Sequence, residues 1–147
     1  MAKVLLTGMS GTGKSTVLNE LNTRGHQTLD TDYGAWTLPN GLWDEPRMTE
    51  LLAKNQQLII SGTVENQGQF YDRFDHIILL SAPLRVLLQR VSERTNNHYG
   101  KTSEQQSQIA AHKQSIEPIL RRGATLELDS RRTITELANA IEKLLDR

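Results

Sequence analysis

Apolar positions along this chain follow two alternating rhythms: short unbroken runs, and longer stretches in which they recur every three or four residues. Lys3 to Thr7 is almost wholly apolar and stops at Gly8, the pattern of a strand buried on both faces. Val17, Leu18 and Leu21 give Lys14 to Arg24 helical spacing, and Gly25 closes it. A short second strand is predicted over Gln27 to Asp30. Residues 31–45, with Gly34, Pro39 and Gly41, are irregular. Pro46 suits the first turn of a helix running to about Asn55. Leu58 to Ile60 is a third strand, leading into Gly62, and Asp75 to Ser81 a fourth. A helix follows from Ser81-Ala82-Pro83 through Arg94, then a polar loop over 95–101. One long helix is predicted from Ser103 to Arg122, ended by Gly123. The last strand spans Thr125 to Leu128, and the last helix, with Ile134, Leu137, Ala138 and Ile141 on one face, Thr133 to Leu145.

Strands and helices alternate five times, which predicts a three-layer α/β/α domain around a five-stranded parallel sheet. The 147 residues suit one domain, with no repeat or linker composition to divide them. In such sheets ligands bind beyond the carboxyl ends of the strands.

Composition narrows the chemistry. The absence of cysteine excludes disulfides, thiolate metal sites and cysteine nucleophiles, and fits the cytoplasm. Seventeen basic and seventeen acidic residues give no basic excess, so no nucleic-acid partner is expected. No apolar run approaches a membrane span, and the N-terminal run ends in a glycine loop rather than a leader's cleavage site. The four histidines are scattered and form no metal-ligand spacing. A monomer or weak dimer is expected.

The most informative segment lies between the first strand and the first helix. Gly8-Met9-Ser10-Gly11-Thr12-Gly13-Lys14-Ser15 satisfies G-x-x-x-x-G-K-[ST] in full, which predicts a P-loop NTPase fold binding ATP and Mg²⁺. The glycines let backbone N–H groups approach phosphates, and the helix beginning at Lys14 adds its positive end. Lys14 reaches the β- and γ-phosphates, Ser15 ligates Mg²⁺, and the nucleotide contacts extend to Thr16.

No carboxylate follows the third strand, where Ser61-Gly62-Thr63 stands. The end of the second strand offers Asp30-Thr31-Asp32 instead. The phosphate loop, this Asp-x-Asp and the Ser-Gly-Thr together resemble the shikimate kinase group, within the nucleoside-monophosphate-kinase-like and gluconate-kinase-like proteins. The resemblance runs over nearly the whole chain. It implies that Asp30 assists the metal and that Asp32 contacts the acceptor hydroxyl.

It also implies that 95–101 is a mobile lid, with Arg94 at its near end and Lys101 at its far end, where the family usually carries arginine. Arg90 and Arg94, four residues apart, share a helix face. Phosphoryl transfer needs such cations. The resemblance also places the loop after the last strand beside the adenine, so Arg131 and Arg132 are expected to line that edge. On the acceptor side Arg47 matches an arginine of the family's site, and the family's triple glycine after strand three is reduced to Gly62. The arginine that would precede the proline of the long helix is replaced by Ile116, ahead of Glu117-Pro118, which argues against shikimate. Trp36 and Trp43 with Asn66 and Gln67 would suit a flat ring, Gln67 resembling the base-reading glutamine of nucleoside-monophosphate kinases.

The expected activity is transfer of the γ-phosphate of ATP to an unidentified small-molecule hydroxyl or nucleotide, Lys14, Asp32, Arg94 and Lys101 being catalytic. The alternative is a nucleotide-binding regulator or hydrolase with no dedicated acceptor.

Overall fold

Three buried strands of consecutive aliphatic residues form the centre of the molecule. The computed structural model describes residues 2–95 and 98–145. Its strands are β1 (Lys3–Gly8), β2 (Thr28–Asp30), β3 (Leu58–Ser61), β4 (His76–Ser81) and β5 (Leu126–Asp129), all parallel, in the order β2-β3-β1-β4-β5. Helices α1 (Lys14–Thr23), α2 (Glu45–Lys54), α3 (Leu84–Glu93), α4 (Ser103–Ser115), α5 (Glu117–Gly123) and α6 (Ile134–Leu145) connect or flank them. This is the expected α/β/α sandwich.

The sheet divides the core. On one side Val4 and Leu6 pack against Val17, Leu21, Leu137 and Ile141 of α1 and α6. On the other, Leu5, Ile60 and Ile77 meet Met48 and Leu52 of α2, while Leu79 meets Leu87 and Leu120 of α3 and α5. β1, β3 and β4 show no alternation because both faces are covered. No helix among the described residues is long and apolar enough to cross a membrane.

Three departures from the sequence reading have physical causes. The helix expected over Ser103–Arg122 breaks at Ile116, giving α4 and α5. Pro118 lacks an N–H and its ring crowds the preceding turn, so the helix restarts there with Glu117 and Pro118 in its first turn. A 3-10 helix, Gln67–Arg73, buries Gln67 and Phe70 where no element was expected. The irregular stretch 31–45 is pinned by an antiparallel bridge between Thr37 and Trp43. Trp43 is fully buried and meets Phe70 edge-on, ring centroids 5.8 Å apart.

Candidate functional site

The phosphate loop leaves β1 at Gly8 and enters α1 at Lys14. Gly8 has φ +152°, and a Cβ there would collide with the carbonyl oxygen of Leu80; Gly11 has φ +91°, and its Cβ would lie 2.9 Å from the Leu87 carbonyl oxygen. Only glycine lets the chain turn this tightly against β4 and α3. The first N–H groups of α1 have no intrahelical acceptor, so the loop and helix start form an anion site. Thr12 braces it by donating to the Met9 carbonyl at 2.9 Å. A cleft of about 410 Å³ opens over residues 10–17.

Lys14 folds back over this loop. Its ammonium donates to the Gly8 carbonyl at 2.5 Å and the Met9 carbonyl at 3.3 Å. Burial lowers its pKa from 10.5 to about 8; Asp32 and Asp30 oppose that fall, and Arg94 adds to it. Ser15 donates to Asp30 at 2.7 Å, and the other Asp30 oxygen accepts from the Asp32 backbone N–H at 3.1 Å. The Asp32 side chain lines the cleft and is still reached by solvent. Its carboxyl is raised above the ordinary value, chiefly by desolvation and then by Asp30, with Lys14 opposing.

The Ser15 hydroxyl and Asp30 carboxylate are hard oxygen donors in mutual contact, a fit for Mg²⁺, which binds through few protein ligands and keeps water and phosphate for the rest. No group of three or more His, Asp or Glu residues that could enclose a metal exists among the described residues.

The cations divide by location. Arg90 reaches under the loop, donating to the carbonyls of Gly11 and Thr12 at 3.4 and 3.3 Å and to the Ser130 carbonyl at 2.7 Å. Arg94 lines the cleft, held by the Tyr99 carbonyl at 2.7 Å and near Ser10 Oγ at 3.5 Å, while its buried Nε has no partner among the described residues. Lys101 sits elsewhere: its ammonium binds the carbonyls of Ser92 and Arg94 at 2.8 and 2.6 Å, at the C-terminal end of α3. Those carbonyls lack helical partners and attract a cation. Arg131 also lies apart from the nucleotide cleft. It is paired with Asp129 at 2.7 Å, and Arg132 lines the cleft in its place.

The acceptor side differs most from expectation. Gln67 is buried and its amide is spent internally, on the Val64 N–H, Thr7 Oγ1 and Tyr71 hydroxyl. Asn66 holds both the N–H and the carbonyl of Trp43. Neither amide is presented to a ligand, and Trp43 belongs to the core. Gly62 is buried where a Cβ would strike Thr31 Oγ1 and approach Trp43, so its small size serves packing. Arg47 is exposed, stacked 4.1 Å from the Trp36 ring centroid and bonded to the carbonyls of Gly34 and Ala35.

Sequence reasoning missed Tyr33, Ser130 and Ile134 in the cleft, and Thr63 beneath the loop. Tyr33 adjoins the Asp-x-Asp, and that adjacency was its only signal.

A family model for the AAA domain matches residues 4–111, most of the chain. The chain belongs to the AAA domain family. No curated protein matches it. Among solved structures, this AAA domain is similar to a shikimate kinase from Acinetobacter baumannii in complex with shikimate: TM-score 0.73 and 21% identity, covering 99% of this chain and 93% of that one. A shikimate kinase from Bacteroides thetaiotaomicron gives TM-score 0.75 at 17% identity, covering 99% and 98%. A gluconokinase from Sinorhizobium meliloti 1021 gives 0.62 at 15%, covering 98% and 91%. The AAA domain thus has the fold of small P-loop kinases.

Proposed function

We propose that this protein transfers the γ-phosphate of ATP to the hydroxyl of a small molecule. The observation that carries the proposal is the pair of carboxylates, Asp30 and Asp32, set across from Lys14 at the phosphate loop. A protein that only bound nucleotide would need the loop and one acid. The second acid, in the cleft and with a raised pKa, is suited to take a proton.

The loop N–H groups and Lys14 would hold the triphosphate, Ser15 and Asp30 would hold Mg²⁺, and Arg94, which lines the cleft beside Ser10, would meet charge spreading on the transferred group. Bound Mg²⁺ supplies neutralisation of phosphate charge. The acceptor oxygen bonds to the γ-phosphorus as the bond to the β,γ-bridging oxygen breaks. ADP leaves, and the hydroxyl proton passes to Asp32.

The kinase folds among the similar structures support this reading, while the acceptor is left open because the Gln67 and Asn66 amides are spent in the interior and Ile116 offers only an apolar side chain. The test offers ATP and Mg²⁺ with shikimate, sugar acids, nucleosides and nucleotides, followed by mass spectrometry. A new phosphate ester is expected. ADP formation without a phosphorylated acceptor across the panel would favour a hydrolase, and neither product a regulator.

A further inference from the structure

One chain of buried and half-buried side chains runs from the 3-10 helix to the first glycine of the phosphate loop, and its hydrogen bonds all point one way. Gln67 Nε2 donates to Thr7 Oγ1 at 3.2 Å. Thr7 Oγ1 and Thr63 Oγ1 are 3.0 Å apart, and Thr63 Oγ1 lies 2.7 Å from the Gly8 carbonyl oxygen. A carbonyl only accepts, so the Thr63 proton goes to Gly8. Thr63 Oγ1 must then accept from Thr7, whose oxygen in turn accepts from Gln67. The Gly8 N–H adds a second donor to Thr63 Oγ1 at 3.2 Å. The direction is fixed at every step, and the chain ends on Gly8.

The Gly8 carbonyl also receives the Lys14 ammonium at 2.5 Å. One acceptor therefore has two donors, of which one is fixed and the other belongs to a long side chain. A nucleoside triphosphate in the loop draws Lys14 to its β- and γ-phosphates. Without another donor, that movement would strand a buried carbonyl, a cost comparable to a lost hydrogen bond.

We infer that Thr63 is a positioning residue of the phosphate loop: its hydroxyl caps the Gly8 carbonyl in both states and so releases Lys14 to the nucleotide. Gln67, through Thr7, holds that hydroxyl in its donating orientation. This rests on the reading of the loop as a triphosphate site, but not on any acceptor. It gives the Ser-Gly-Thr after β3 a role at the nucleotide, where the absence of a carboxylate left that segment without one.

The thermodynamic consequence separates this role from plain structural support. With Thr63 present, Gly8 is capped before and after binding. With Thr63 removed, Gly8 is capped only by Lys14 in the free protein and by nothing in the complex, so affinity falls. With Lys14 also removed, Gly8 is uncapped in both states and the effect cancels. The experiment is isothermal titration with MgATP, carried to millimolar nucleotide, on Thr63→Val, Thr63→Ser, Lys14→Met and the Thr63→Val/Lys14→Met double variant. Unfolding temperatures are followed in parallel, and Thr63→Ala replaces the valine variant if that does not fold. Thr63→Val should weaken binding about tenfold, equivalent to about 1.4 kcal/mol. Thr63→Ser should bind within about twofold of the parent, and the valine effect should fall below about twofold in the Lys14→Met background. Unchanged affinity in Thr63→Val, no rescue by serine, or an undiminished effect without Lys14 would each overturn the inference. Failure to phosphorylate any acceptor would leave these affinities as they are and would count only against the proposed transfer.

Discussion

At the scale of single residues, Asp32 and Lys14 carry the sharpest expectations. Asp32→Asn keeps the side chain's shape and removes its capacity to accept a proton. Turnover should fall by about 10²–10⁴-fold while MgATP affinity changes little. Product formation and titration on the same preparation check this, and an active variant would move the role to Asp30. Lys14 must be protonated to hold phosphates, and burial lowers its pKa to about 8 in the free protein. MgATP affinity should therefore fall as pH rises through about 8, and binding near pH 8.5 should take up a proton. Calorimetry in two buffers of different ionisation enthalpy measures that uptake. The stability of the empty protein has the opposite slope. Between about 8 and the ordinary lysine value of 10.5 the unfolded chain binds more protons than the folded one, so stability rises with pH across that window. Residues 8–15 were legible because the loop's chemistry lies in its backbone, and backbone demands show as glycines at fixed spacing. Arg131 and Arg132 were not separable, since a loop has no periodicity to say which neighbour faces the cleft. Gln67 was misplaced for the opposite reason: a buried amide and a ligand-reading amide look alike until their partners are known.

Among the elements, the aliphatic strands were plain from their uninterrupted runs, whereas the seven-residue 3-10 helix gave no recurring apolar signal. The lid segment mixes both cases. Its polar composition suggested a free loop, yet Gly100 packs on Val91 and Ile109, and the Gly100 and Lys101 N–H groups both donate to Gln105. Such contacts lie far apart in sequence or depend on a side chain one helical turn away, and composition does not display them. Asn96 and Asn97 fall outside the described residues. Because the Gln105 and Val91 contacts already hold Gly100 and Lys101, amide exchange with and without a non-hydrolysable ATP analogue should show little change at those two positions and added protection at Thr95, His98 and Tyr99. Equal protection throughout would make the segment a static loop and remove Arg94 from catalysis.

In the whole molecule, stability and the site draw on the same packing. Trp43 closes the core beside β3 and α2, and the acid-bearing stretch 31–44 is anchored through it. Trp43→Ala should destabilise the fold by about 3–5 kcal/mol, measured by denaturant titration, with MgATP affinity following the folded fraction. The sheet order places β1 at the centre and β2 at one edge. β2 has only three residues, pairs on one side alone, and is nowhere fully buried, yet Asp30 is its last residue and Asp32 follows two positions later. The phosphate loop, by contrast, springs from the central strand, which is paired on both sides. Warming should accordingly end the proposed transfer before the fold is lost: turnover would vanish several degrees below the calorimetric transition, with nucleotide still held. An inactivation midpoint that coincides with global melting would show instead that the two ends of the sheet give way as one.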